Sequence, residues 1–513
     1  MTPIMYAWSA LGGTPARLPR LTAVSREGVL AARLPVRELA RACAGVCGLA
    51  AAELAARRTG SGAAPEVRVD DGAVAAAFHS ERLLRVDGRP PVAFAPLSRF
   101  WRTADGWVRT HANYPHHRAR LLGALGLPQD APVERVAAGL AGRRALEVEE
   151  TVTAAGGLAV ALRTPAQWRA HPQAAAVAAR PLVERERLDA APARVFPPLA
   201  PDATALLPAA GLRVLDLTRV LAGPVATRTL ALLGADVLRL DAPWLPELPD
   251  SHADTGFGKR SAVLGLDTGR DVFEELVRTA DVVVTGYRPG ALDRFGLSPR
   301  ALAGRRPGLV VAQVSAWGAY GPWGGRRGFD SLVQAATGIA VTEGAAGEPG
   351  ALPAQALDHG TGYLLAAAVL RALTEQSYDG GSRLVRLALA RTAHWLTTGI
   401  RPGSAEEPPN PGQAEEPPYS GSAEEPPCPG SAGEPSRPGP VREAPYPGPV
   451  REAPYPGPDA WLAETGSALG RLRHARPAVS FTGGPAGWAR PPAPWGTDPA
   501  CWSTAPAGTD GTG

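Results

Sequence analysis

Lysine is almost missing from this 513-residue chain: among 53 basic residues Lys259 is the only one, and arginine supplies the rest. A position that keeps the lone lysine invites a reason. Cysteine is nearly as scarce. Cys43, Cys47, Cys428 and Cys501 form neither a disulfide framework nor a paired CxxC pattern, which suits a reducing, cytoplasmic setting and gives no sign of a metal. Long apolar runs are lacking as well. The opening MTPIMYAWSALGG has no basic stretch followed by a continuous apolar core, and no window reaches the ~20 apolar residues of a membrane helix, so neither export nor membrane spanning is expected. Nor is charge of one sign concentrated anywhere. The 53 basic and 49 acidic residues are spread along the chain with no aromatic-basic interleaving, so nucleic acid is not an expected partner.

What the chain does contain is alternation. From Gly211, LRVLDLT reads as a buried strand, AGPVATRTLALLG as a helix and ADVLRLD as the next strand. SAVLGLD, DVVVTGY and LVVAQVSAW continue as strands, separated by the helical DVFEELVRTA and by RPGALDRFGLSPRALAGRRP. This predicts an α/β fold with a doubly wound, mostly parallel sheet, accompanied by a smaller α+β domain, with ligands bound beyond the carboxyl ends of the strands. The loop after the first strand, TRVLAGP, is not GxGxxG, so nicotinamide and flavin cofactors gain no support, although a βα loop still offers helix N-terminal amides to a nucleotide-like ligand.

Residues 399–458 differ in kind: AEEPP recurs at 405, 414 and 423, and VREAPYPGP occurs in tandem from 441 and 450, a period of nine. So much proline predicts a disordered, polyproline-like linker without a hydrogen-bonded ladder. A second similarity, between residues 41–78 and 358–396, pairs a helix, a glycine-containing turn and an apolar strand-to-helix pattern in each, and points to an internal duplication.

The second of these segments opens with QALDHGTGY, in which Asp358 reads either as the cap of the alanine-rich helix that follows or as a nucleophile. Its surroundings carry a resemblance. GLRVLDLTRVLAGPVATRTLALLGADVLRLD, GKRSAVLGLD, ADVVVTGYRPGALDRFGLS, VSAWGAYGPW, GFDSLVQAATG and ALDHGTGYLLAAAVL follow one another as in the family III CoA-transferases, the group that includes formyl-CoA transferase, carnitine CoA-transferase and α-methylacyl-CoA racemase. Residues 36–190 resemble the later part of the same family, with FWRTADGWVRTHANYPHHRARLLGALG like its small domain, and the tail from 459 resembles its closing segment. The expected organisation is a partial, catalytically degenerate copy over 1–200, a CoA-binding and catalytic domain over 201–398, the repeat linker over 399–458 and the tail over 459–513.

The resemblance implies coenzyme A as the bound group, acyl-CoA and a carboxylic acid as substrates, and a homodimer or a heterodimer with a homologous subunit. It places Asp358 as the nucleophile that forms an acyl-aspartyl anhydride and then an aspartyl-CoA thioester. It also places Leu221, Ala222, Gly223 and Pro224 in the loop that lets CoA approach the backbone, Lys259 near the adenine and 3′-phosphate, and Arg288, Arg294 and Arg327 on CoA phosphates, for which guanidinium is well shaped. Racemases of the family carry a histidine where this chain has Phe329, which argues against racemisation, and His359 points elsewhere from Asp358 along a helix. Aligning the two internal segments sets Arg41 where Asp358 sits, so the first copy is expected to lack a nucleophile. A non-catalytic CoA-binding subunit is the third reading.

Overall fold

The computed structural model describes residues 1–199, 204–400 and 451–503. The chain enters through strand β1 (Leu21–Ser25), the long helix α1 (Val36–Thr59), strand β2 (Val67–Asp70) and helix α2 (Asp71–Phe78). An antiparallel sheet follows, built from β3 (Phe100–Thr103), β4 (Gly106–Thr110) and β5 (Ala159–Ala161), with helix α3 (Pro115–Ala124) between the last two. Strand β6 (Glu184–Arg187) then runs into the main sheet.

The alternating region folds as its pattern predicts, into β7 (Arg213–Leu217), α4 (Ala222–Leu232), β8 (Asp236–Asp241), β9 (Arg260–Val263), α5 (Arg270–Thr279), β10 (Val282–Thr285), β11 (Val310–Ser315), α6 (Asp330–Ala336), α7 (Ala356–Asp379) and β12 (Arg383–Ala388). The strand order is β9-β8-β7-β10-β11-β12-β6, parallel throughout except for β6 on its edge. That order reverses direction between β7 and β10, which is where a doubly wound sheet opens a crevice. Strands such as Val282–Thr285 are buried on both faces, which is why they read as unbroken β-branched runs rather than as alternation. In α5 only Phe273, Leu276 and Val277 are buried, one stripe against the sheet.

Helix α7 is apolar nearly all round because it lies between α1 and α4. A Cβ at Gly362 would meet the carbonyl oxygen of Ala222 at 2.6 Å and Val225 Cβ at 2.9 Å, so the second glycine of the GTG motif lets α7 seat against the start of α4. Helix α1 is long and apolar enough by length and composition to cross a membrane, yet here it is buried against β1, β2 and α7. Both α1 and α7 have 24 residues and end at a glycine with positive φ, Gly60 and Gly380. Matching their starts sets Glu38, not Arg41, at the position of Asp358; Arg41 lies one turn further on and pairs with Asp71.

Most of the nonapeptide repeats, residues 401–450, lie outside the described residues. The start of the last one, from 450, departs from the expectation of no ladder. Arg451–Glu452 forms β13, which pairs in parallel with Val24 and Ser25, because these two residues still carry N–H groups between the prolines. The tail covers the edge strand β9: the amide of Ser261 donates to Asp498 Oδ2 at 2.8 Å, and Trp495 Nε1 donates to Asp241 Oδ2 at 2.9 Å.

Candidate active site

A cavity of about 630 Å³ opens at the carboxyl ends of the strands, around the switch between β7 and β10. The residues after β7 form one wall, those after β10 another, and Asp358 closes its inner end. Residues of α3 and its approach, Tyr114, His116 and His117, cover it from the N-terminal part of the chain.

Asp358 is the third residue of α7, and the helix cap is Gln355. The capping role falls instead to Asp330 at the start of α6, whose Oδ2 accepts the backbone N–H groups of Leu357 at 2.9 Å and Asp358 at 3.0 Å. The carboxylate of Asp358 accepts no hydrogen bond from any described residue and faces the cavity, although the residue is only 6% exposed. Burial first, then the charges of Asp330 and Glu81, push its carboxyl well above the usual range, and burial raises Asp330 to about 6. His359 turns away. Its ring is fully buried, bonds Glu81 Oε2 through Nε2 at 2.9 Å and stacks on Phe78.

Three arginines in the cavity wall, Arg288, Arg294 and Arg327, form no salt bridge with a described carboxylate. Arg327 is held below its ordinary pKa by burial and by the neighbouring charges of Arg288 and Arg120. A crowd of uncompensated cations on the rim of a cavity is a site for anions. Replacing Arg288 or Arg327 with alanine is expected to weaken binding of a phosphate-bearing anion in this cavity about tenfold to a hundredfold, more steeply at low ionic strength. Binding titrations at two salt concentrations check this.

The loop between β7 and α4 is strained. Val220, a β-branched residue, has φ of +71°, and its N–H donates to Glu247 Oε2 at 3.0 Å. Glu247 also accepts from Tyr114 Oη at 2.5 Å and from Arg239 at 3.0 Å. One buried carboxylate thus ties the loop, the sheet and the N-terminal part of the chain together.

Residues 209–420 match the model of the family described as CoA-transferase family III. Over this stretch the chain is similar to that family. An acetyl-coenzyme A transferase of Hypoxylon pulicicidum is 36% identical over 202 residues, 38% of this chain and 34% of the relative. A formyl-CoA:oxalate CoA-transferase of Streptomyces coelicolor is 36% identical over 193 residues, 35% of this chain and 47% of the relative. A crystallised hypothetical protein of Mycobacterium tuberculosis is 35% identical, with a TM-score of 0.35, over 37% of this chain and 57% of its own. The chain therefore spans half or less of the length of these curated relatives.

Of the residues expected from the family III CoA-transferase resemblance, Asp358, Leu221, Ala222, Gly223, Arg288, Arg294 and Arg327 meet in the one cavity. Pro224 and Lys259 do not line it. Lys259 is 2% exposed, and its Nζ donates to Asp216 Oδ2 and to the carbonyl of Pro224, both at 3.0 Å. The ammonium is thus engaged by Asp216 and by the start of α4 and lies away from the cavity. Asp216 further accepts from the hydroxyls of Thr218 and Thr227. Lys259 thus ties the approach to β9 to β7 and to the first turn of α4.

Glu81, His111, Tyr114 and Glu247 were not singled out by the sequence. The one available signal was the density of polar aromatics in THANYPHH, which the family III CoA-transferase resemblance had assigned to a small domain without a role.

Proposed function

We propose that the chain moves CoA from an acyl-CoA thioester to a carboxylic acid acceptor, with Asp358 as nucleophile and coenzyme A bound along the 630 Å³ cavity. The observation that carries this is the carboxylate of Asp358: it is buried, without a hydrogen-bond partner among the described residues, and aimed into a cavity whose rim holds Arg288 and Arg327.

A carboxylate oxygen of Asp358 attacks the thioester carbonyl carbon, the C–S bond breaks and the CoA thiolate departs, leaving an acyl-aspartyl anhydride. The thiolate then attacks the aspartyl carbonyl and expels the donor acid as its carboxylate. The acceptor carboxylate attacks the aspartyl-CoA thioester, the thiolate leaves again, and its attack on the acceptor carbonyl returns Asp358 and the new thioester. No external oxidant or base is consumed. Asp330 holds the N-terminus of α7 and fixes where the nucleophile sits, and the cationic rim would hold the coenzyme phosphates.

Racemisation fares less well. His111 stacks on Phe329 with ring centroids 3.7 Å apart, which brings an imidazole near Asp358 after all. Burial first, then Arg109, holds that imidazole down at about 3, too weak a base to take a proton from an α-carbon. Tyr114, His116 and His117 of the same chain cover the cavity.

The test is CoA exchange between a panel of acyl-CoA donors and carboxylic acids, together with isolation of a hydroxylamine-sensitive adduct at Asp358. The pH profile adds a signature. The nucleophile must be ionised, and its pKa is raised, so kcat/KM is expected to fall on the acid side with a midpoint well above the ~3.9 of an ordinary aspartate. Asp330→Asn removes one of the neighbouring charges and should move that midpoint down, while Asn Oδ1 can still accept the two helix amides.

A further inference from the structure

Four consecutive residues after α2, HSER from 79 to 82, each send a side chain across to the part of the chain that carries Asp358. His79 Nε2 donates to the carbonyl oxygen of Pro353 at 3.0 Å, and Arg82 donates to the same oxygen at 2.6 Å. Ser80 is buried and donates to Asp254 Oδ2 at 2.8 Å, while Arg228 of α4 donates to Asp254 Oδ1 at 3.0 Å and to Ser80 Oγ at 3.3 Å. Glu81 Oε2 accepts from Nε2 of His359, the neighbour of Asp358, at 2.9 Å. Phe78, just before them, stacks on His359 with ring centroids 5.3 Å apart and on Tyr363 at 5.9 Å, one turn further along the same face of α7.

The start of α7 is therefore held in two ways. Asp330 takes the amides of Leu357 and Asp358, which sets the position of the helix end along its axis. A side chain gripped from the flank sets the rotation about that axis. Successive residues lie about 100° apart around a helix, so fixing the ring of His359 against Glu81 and Phe78 also fixes the direction in which Asp358 points. Side-chain ends lie roughly 5–6 Å from the axis, so a turn of about 10° moves a carboxylate about 1 Å. A displacement of that size costs about a hundredfold in rate.

We propose that Glu81 is a positioning residue: through His359 it fixes the rotation of the first turn of α7 and so aims the Asp358 carboxylate into the cavity. The effect on rate rests on the transferase reading, whereas the hold on the helix does not.

Glu81→Ala and Glu81→Gln in the full chain separate the two. Hydrogen exchange of the amides from 357 to 363 is followed by mass spectrometry, and CoA exchange is measured with the donor and acceptor that the parent chain uses best. Alanine removes the acceptor, glutamine keeps one for the ring N–H of His359, and His79, Ser80 and Arg82 keep the segment docked in both. Glu81→Ala is expected to exchange these amides at least about tenfold faster. It should also lower kcat about tenfold to a hundredfold while KM for the thioester changes less than about threefold, and Glu81→Gln should restore most of both losses. A residue that only ties two parts of the chain together would lower the unfolding midpoint and leave kcat per folded molecule unmoved. Unchanged amide exchange in Glu81→Ala overturns the proposal whatever turnover does; so does faster exchange with kcat unmoved, or a loss of kcat that glutamine does not restore. If the parent chain transfers CoA to no acid and the amides still loosen, the hold on α7 stands and the transferase reading falls.

Discussion

Asp358→Asn is expected to lower CoA exchange by about four orders of magnitude or more, with the hydroxylamine-sensitive adduct lost. The substitution is nearly isosteric, so the fold and the cavity should survive, and binding of CoA should change little. The size of the effect follows from what the amide cannot do: it does not attack a thioester carbonyl, and no neighbour can take over. Asp330 is occupied by the amides of Leu357 and Asp358, and Glu81 is engaged by His359. Exchange kinetics and mass spectrometry of the trapped peptide measure the outcome. Exchange that persists within tenfold of the parent chain would remove Asp358 from the reaction.

Lys259→Met is expected to act on stability rather than on the coenzyme. The lone lysine and Asp216 are both wholly inside the protein, and burial drags the ammonium down only to about 8, so the pair remains ionic at neutral pH. Removing one partner of such a pair leaves an uncompensated buried charge, which costs about 3–5 kcal/mol. A methionine of similar length fills the space but offers Asp216 nothing. Denaturant unfolding should show a clear drop in midpoint with little change in slope, and Asp216→Leu added to Lys259→Met should regain part of it. A rise in KM for the thioester with an unmoved midpoint would place the ammonium on the coenzyme, as the resemblance had it.

That contrast shows what a sequence can and cannot carry. The strands and helices from Gly211 to Ala388 were legible because their periodicity is local, and the valine runs could only be strands covered on both faces. The arginines and Asp358 were legible because the ends of parallel strands and the starts of the helices after them gather in one place. Burial was not. FGKRS looks the same whether its lysine reaches out to a phosphate or in to a carboxylate 43 residues away. That Asp358 does not cap its own helix follows from Asp330, 28 residues earlier, and nothing in QALDHGTGY announces that its helix is capped from another one. Glu247 and Tyr114 meet across 133 positions, and the strain at Val220 exists only because that meeting holds it. The register of α1 against α7 stays ambiguous for a related reason: alanine-rich helices align in several ways.

The wall shared by the two cavities bears on kinetic order. Asp358 borders both spaces, which have separate linings apart from five common residues. On the transferase proposal, the outgoing acid would be swapped for the incoming one while the coenzyme stays anchored by its phosphates. Free CoA then has no reason to appear in solution between the half-reactions, and added CoA should compete with the donor thioester without intercepting the cycle midway.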